Sequence, residues 1–529
     1  MVDSPASHGA SSATPEPGAA NSPDVDAPRV ALSGGRTRPS LDDRGFLGHP
    51  SGLGTLFNAE LWERFSYYGM RAILAYYLYT AVSEGGLGID QPTALSIVAT
   101  YGASVYLLSV VGAWLADRVI GAFRATLYGA VIIMLGHVFL AMPIAAMSWV
   151  GIATVALGTG LQKASISAVV GQLYDREDGR RDAGFSIFYM SVNIGSFCAP
   201  FVVTFLKDRW GFHAGFSAAA VGMAFGLIGL FVFRKHLHGA GTNPTSPLTA
   251  AERGTVMRRV GLGVVGVAAV AAICFALSGT TANGVINTVT VMSVIAAVGM
   301  FAMMFKSPKV SAAERRHLQA YVPLWIGAAL FWMIFEQAAS KMAAFAAERT
   351  DLGSIFGIKV NAEFFQSVNP LFVVALAPVF AAIWLRRAGK FPSTGAKFAF
   401  GVLMAGLSFV LLAFYSHLWP HGPTAPMWAL ASVFVVQTIG ELCLSPVGIS
   451  ATTKLAPAAF TTQAMALWYL TSAVGQSAAA QAIRLMEGLS DTTFFLTLGL
   501  ITAGFSLVLM ALVPWIGRHM RDVEAVKTA

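Results

Sequence analysis

Between residues 56 and 517 the chain alternates long apolar runs with short polar stretches. Fourteen runs approach the length of about 20 residues that a helix needs to cross the hydrocarbon core of a bilayer. They fall at 56–80, 93–117, 124–144, 148–172, 183–206, 212–233, 255–277, 284–305, 319–343, 362–385, 396–416, 426–449, 459–485 and 493–517. Lipid offers no partners for exposed backbone groups, so each run is predicted to be a helix. Residues 1–50 differ: they are rich in Ala, Ser, Pro, Gly and Asp, and no apolar run interrupts them. This composition predicts a disordered cytoplasmic tail rather than a cleaved signal segment, which needs an apolar stretch.

Charge placement sets an orientation. With the N-terminus in the cytoplasm, six of the 35 Lys and Arg residues fall in outside loops or helix ends: Lys207, Arg209, Lys341, Arg349, Lys359 and Arg484. Arg64, Arg71 and Lys163 lie inside spans, and the rest are cytoplasmic. An excess of cations on one side marks the cytoplasmic face, which puts both termini there and the chain in the inner (plasma) membrane. The same bias explains the net charge of +8 without nucleic acid as a partner. Only 12% of the residues are charged and mean hydropathy is +0.63. A soluble domain needs about a quarter of its residues charged, so most of this surface must face lipid. The three cysteines, Cys198, Cys274 and Cys443, all lie in apolar runs with no CxxC pair, which argues against a disulfide framework or a metal site.

The organisation expected is a tail at 1–50, six spans at 51–233, a cytoplasmic linker at 234–254, an inserted hairpin at 255–310, six further spans at 311–517 and a cytoplasmic tail at 518–529. The hairpin carries no ionisable group beyond Arg258 and Arg259 at its cytoplasmic end, so it reads as peripheral to any transport chemistry.

Ionisable groups inside a bilayer are expensive, and each is a functional hypothesis. At about 100° per residue, Glu60, Arg64, Tyr67 and Arg71 share a stripe about 60° wide on the first span, flanked by Glu63 and Tyr68. Such a face must line a polar cavity. A static ion-pair cluster that only fixes packing is the alternative. Lys163 lies in the fourth span, in a sequence that fails as a phosphate loop because no Gly precedes the Lys. The second group of spans adds Glu336 and Glu441, with Asn193, Asn369 and Gln366 as polar partners elsewhere. Four carboxylates face three cations, so at least one glutamate is expected to take up and release a driving proton. The cations Arg71 and Lys163 come from the first group and the acids Glu336 and Glu441 from the second. A zwitterion could bridge them, its carboxylate toward Arg71 and Lys163 and its amine toward Glu441. Tyr67, Tyr106, Trp332 and Trp468 are candidates to wall such a pocket or to serve as packing.

These residues carry a resemblance. Glu60-xx-Glu63-Arg64-Phe65-x-Tyr67-Tyr68-Gly69 resembles the first-helix signature of the proton-coupled oligopeptide transporters, a branch of the major facilitator superfamily. Gly112-Ala113-Trp114-Leu115-Ala116-Asp117-Arg118, with Gly121 and Arg124, resembles the superfamily's loop motif. The segments Phe188–Ser196 and Glu441-Leu442-xx-Ser445-Pro446-x-Gly448 resemble the family's fifth- and tenth-helix elements. The resemblance implies an all-α polytopic membrane protein with the major facilitator fold, two six-helix bundles plus an inserted helix pair. It implies a symporter that imports di- and tripeptides by alternating access, driven by protons and working as a monomer without cofactor or metal. It assigns proton coupling to Glu60, Glu63, Arg64, Lys163 and Glu336. It places Arg71 and Lys163 near the peptide carboxylate, and Asn193, Asn369 and Glu441 near the peptide amine. Tyr67, Tyr68, Tyr106, Trp332, Ser445 and Trp468 shape the pocket, and Asp117 and Arg118 belong to the cytoplasmic gate. One departure stands out: the family often has Lys-Pro-Asn in the fourth helix, where this chain has Lys163-Ala164-Ser165.

The alternative cargo is another small anion such as nitrate, or an amino-acid or drug-like substrate. An enzyme is not expected, since the chain has no HExxH, GxSxG or phosphate-loop motif. Nor is a channel, since the charges do not form like-charge rings.

Overall fold

The computed structural model describes residues 43–175, 178–386 and 393–520. The tail residues 1–42 and 521–529 lie outside the described residues. Among the described residues there are fifteen α-helices. The first six are α1 (Ser51–Tyr79), α2 (Gln91–Leu115), α3 (Ala122–Ala141), α4 (Ala145–Gln172), α5 (Arg181–Trp210) and α6 (Phe212–Phe233). The hairpin is α7 (Ala250–Leu277) and α8 (Thr281–Lys306). There follow α9 (Ala312–Phe335), the short α10 (Lys341–Glu348), α11 (Val368–Arg386), α12 (Thr394–Leu418), α13 (Met427–Leu455), α14 (Thr461–Leu485) and α15 (Asp491–His519). Twelve helical stretches are long and apolar enough to cross a membrane. Long helices α1 and α14 fall outside that set. The charged stripe of Glu60, Glu63, Arg64 and Arg71 lowers the hydropathy of α1, and these four side chains are buried inside the protein rather than turned to lipid.

The helices form two six-helix bundles plus the inserted pair. In the first, α1 packs on α5 and α6, and α3 on α4 and α6. In the second, α12 packs on α13 and α15, and α9 on α14. The bundles meet where α2 lies along α14 and α5 along α11. Without a hydrophobic drive inside lipid, close helix approach depends on small residues. The α3–α4 pair shows this: Gly129 and Gly136 face Gly158 and Gly151 so closely that a Cβ at Gly136 would lie 2.8 Å from the Val155 backbone nitrogen.

Start signals fix the helix ends. Thr249 and Glu252 form a reciprocal capping box on α7, as Ser311 and Glu314 do on α9. The box starts α7 at Ala250, inside the stretch read from sequence as linker. Residues 43–50, read from sequence as part of the disordered tail, are instead pinned. Asp43 accepts from the Ser51 backbone at 3.0 Å, and Arg180 donates to the carbonyls of Asp43 and Gly48 at 3.1 and 3.3 Å. Two short strand pairs lie in the loops, Ser354–Ile355 with Ile358–Lys359 and Thr350–Asp351 with Ala425–Pro426.

The span expected to run unbroken over 319–343 breaks. α9 ends at Phe335, residues Glu336–Ala339 form a 3₁₀ turn, and Ser340 takes φ −126° and ψ −99° before α10 begins. In an unbroken helix the Ser340 amide would reach the Glu336 carbonyl. Here it donates to the Gln337 carbonyl instead, and the freed Glu336 carbonyl accepts from Arg71 at 3.0 Å. Non-helical backbone at membrane depth is tolerated where protein supplies the missing partner.

Candidate functional site

A cavity lies between the bundles, lined by α1, α2, α5, α9, α11 and α13. The first bundle contributes Tyr68, Arg71, Tyr106 and Asn193, and the second contributes Trp332, Glu336, Asn369 and Glu441. The sequence separates these residues by up to several hundred positions, and the fold brings all eight together.

At one edge of the cavity Arg71 and Glu336 form an ion pair across the bundles, Nη2 to Oε2 at 2.5 Å, both side chains less than a tenth exposed. Across from it, Asn369 donates through Nδ2 to Glu441 Oε2 at 2.9 Å and to Thr438 Oγ1 at 3.0 Å. Arg71 is taken up by Glu336, and no ion pair to Glu441 exists among the described residues. A carboxylate held only by neutral amide and aromatic neighbours gains from a cationic partner, because charge-assisted hydrogen bonds are about twice as strong as neutral ones.

The remaining charges of α1 sit beside the cavity rather than on its wall. Arg64 Nε contacts Glu60 Oε1 at 2.8 Å and Glu63 Oε2 at 2.7 Å. Both glutamates retain buried carboxylate oxygens with no hydrogen-bond partner among the described residues. Lys163 has no carboxylate within ion-pair reach among the described residues. Its Nζ sits 4.3 Å from the Tyr106 ring centroid and 6.0 Å from that of Tyr67. Arg64 and Arg71 approach the same Tyr67 ring at 5.7 and 5.9 Å. One buried phenol is therefore the common neighbour of all three intramembrane cations. Each such contact contributes about 0.5–2 kcal/mol.

Four residues expected to contact substrate stand apart from the lining. Lys163 lies beside the Tyr106 ring, and Tyr67 is buried among the cations. Ser445 has a buried hydroxyl with no hydrogen-bond partner among the described residues. Trp468 packs on Gly448, whose added Cβ would lie 2.0 Å from the indole, and on Phe398. Asp117 lines a second cavity, formed with small side chains of α2 and α4 and with Thr462, Met465, Ala466 and Tyr469 of α14. It accepts from Thr245 Oγ1 at 3.1 Å, while Arg118 pairs with Glu252 at 3.1 Å.

The lining also holds residues the sequence reading did not single out, among them Tyr189, Ser196, Gln437 and Phe434. Helical spacing was the available signal: Tyr189 and Ser196 lie four before and three after Asn193, and Gln437 lies four before Glu441. Gln366, noted from sequence as a polar partner, lines the cavity and donates to the Ala338 carbonyl at the broken helix.

On the side of the bundles away from the linker, several bonds join the halves. Lys207 pairs with Glu363, Gln91 with Glu348, Asn361 donates to Asp208 at 2.5 Å, and Tyr76 donates to the Ala343 carbonyl at 3.0 Å. The halves are thus tied shut on this far side, and the second cavity lies on the linker side.

A family model described as the POT family matches residues 123–513. The chain is 45% identical over 490 residues to the uncharacterized transporter YclF of Bacillus subtilis (strain 168), covering 92% of this chain and 98% of the relative. It is 39% identical over 491 residues to the di-/tripeptide transporter of Lactococcus lactis subsp. cremoris, covering 91% and 99%. Among solved structures, a mutant of the peptide transporter POT in complex with alafosfalin matches with a TM-score of 0.84 and 45% identity, over 91% of this chain and 97% of that one.

Proposed function

The chain belongs to the POT family, and from that premise we propose that it imports di- and tripeptides, and peptide-like molecules, together with protons. The observation that carries the substrate class is the pairing of groups across one cavity. Arg71 stands on one side and Glu441, without a cationic partner among the described residues, on the other. A peptide carboxylate competes with Glu336 for Arg71, and the peptide amine meets Glu441 and Asn369. Because the two ends engage different bundles, binding draws the halves together, as alternating access requires. Two of the relatives above are named as a di-/tripeptide transporter and a peptide transporter, and the second holds a peptide-like ligand, which supports the same reading. A lone anion such as nitrate would satisfy Arg71 and leave Glu441 uncompensated.

Protons are the driving ion in this reading. Release of Glu336 from Arg71 by the substrate leaves an acid to be neutralised, and Glu60 and Glu63 hold unpartnered oxygens beside it. Lys163, free of carboxylates, is placed to exchange between these acids and the substrate. The protein acts as a monomeric carrier, not as an enzyme, with no cofactor. The linker side faces the cytoplasm of a cell whose plasma membrane holds the chain, and Asp117 and Arg118 gate that side.

The test is counterflow in liposomes loaded with dialanine. Exchange of external labelled dialanine that unlabelled dialanine blocks, and that nitrate and free alanine do not, is the expected outcome. Block by nitrate with no effect of dipeptides would replace the reading with an anion carrier.

A further inference from the structure

The α7–α8 hairpin is fixed to both halves at opposite ends. At the linker side it is bound to the first bundle. Ser246 and Leu248 donate backbone hydrogen bonds to the carbonyls of Asp117 and Arg118 at 3.0 and 3.2 Å. One turn into α7, Glu252 pairs with Arg118 at 3.1 Å. Toward the far side it is bound to the second bundle. Gln481 of α14 donates to Asn287 Oδ1 and Thr290 Oγ1 of α8, both at 3.0 Å, and Arg484 donates to Asn287 Oδ1 at 2.9 Å. Midway, Ser477 meets Ser293 at 3.4 Å. Between these fixed points α7 is almost bare, with Cys274 its one buried residue, and its neighbour is α8. α8 itself lies over the line where α2 of the first bundle meets α14 of the second.

A polar seam in lipid is a deliberate contact, since an unpaired amide there is costly. Helices of this length, about 40 Å at 1.5 Å per residue, are stiff enough to carry force from one end to the other. We propose that the hairpin is a brace, tied to the first bundle at its linker end and to the second near its far end, that biases the halves toward the state in which the far side is shut. The bias follows because both ties are made in the state where Lys207–Glu363 and Asn361–Asp208 also close that side. Rotation of one half on the other must strain or break one tie. A contact made in one state only shifts the balance toward that state by its differential strength. The inference is independent of what the cavity carries.

Two ties in series have a signature that two independent contacts lack: losing either releases the brace, and losing both adds nothing. The experiment uses the full chain in nanodiscs, with the three native cysteines replaced by Ala and spin labels at Val82→Cys and Leu489→Cys. These are exposed far-side positions on different halves. Pulsed electron–electron resonance then reads the distance between them. Glu252→Gln and Gln481→Ala are each expected to raise the far-side-open population about two- to fivefold, the range for weakening one polar tie. The double variant should match the larger single effect. Should Gln481→Ala not give monodisperse protein, Asn287→Ala removes the acceptor that Gln481 and Arg484 share. Unchanged distances in both single variants, or effects that multiply in the double variant, would overturn the brace.

Discussion

Through one nitrogen, Nη2, Arg71 forms an ion pair with the carboxylate of Glu336 at 2.5 Å and donates to the backbone carbonyl of the same residue at 3.0 Å. A single guanidinium thus pairs the bundles electrostatically and holds open the break at the end of α9. Glu336→Gln keeps a neutral acceptor for Arg71 and frees the guanidinium for a peptide carboxylate. The variant should fold, bind dialanine at least as tightly as the parent, and lose gradient-driven uptake. Arg71→Ala should instead weaken dialanine binding about 10- to 150-fold, the worth of a charge-assisted hydrogen bond. Calorimetry on the two variants reads both effects.

In the proposed function, Glu441 sets the requirement for a free amine. Glu441→Gln retains an acceptor for Asn369 but removes the charge. Its apparent affinity for dialanine should fall by about tenfold or more, while that for N-acetyl-dialanine, already poor in the parent, should hardly change. If the two ligands lost affinity equally, Glu441 would be a packing residue and not an amine site.

The proposed function assigns proton coupling to the acids beside Arg64. In Glu60→Gln and Glu63→Gln the pH dependence of uptake should flatten and accumulation should stop, while exchange of labelled for unlabelled peptide continues. Lys163→Ala should behave the same way. Uptake that rises with a falling outside pH in all three variants, as in the parent, would move the proton path elsewhere.

Two glycines separate tight from loose parts of the fold. A Cβ at Gly112 would lie 2.4 Å from the Gly160 carbonyl oxygen of α4, a backbone atom that cannot swing aside. Gly112→Ala should therefore lower stability by about 1–3 kcal/mol. Gly261 of α7 has no atom within 4 Å of an added Cβ. Gly261→Ala should leave the unfolding temperature unchanged or slightly raised, given the better helix propensity of Ala. Thermal unfolding of the two purified variants in detergent checks the contrast.

Much of this was legible in the chain because a bilayer imposes strong rules. Apolar runs of fixed length locate the long helices. The run at 56–80 locates α1 even though its four charges make it too polar for a plain hydropathy criterion. Glu60, Glu63, Arg64 and Arg71 share a face in the sequence, and the fold buries that face between the bundles. The break at Glu336 was not legible, because it depends on a donor 265 residues away taking the carbonyl that Ser340 would have used. For the same reason nothing local announced the Lys207–Glu363 tie or the dependence of α7 on Arg118. Trp468, expected near the pocket from its residue type and from the resemblance, is seated against Gly448, where the absence of a side chain makes room for the indole.

The most direct test of the account is accumulation of labelled dialanine in liposomes under an imposed inward proton gradient with a negative interior. A zwitterion carried with one proton moves one net charge. At 100 mV and one pH unit the drive is about 2.3 plus about 1.4 kcal/mol, enough for roughly 500-fold accumulation. The account predicts uptake far above equilibrium that collapses when the gradient is dissipated. Uptake that stops at equilibrium with the gradient intact, or no dialanine uptake by demonstrably folded protein, would contradict it.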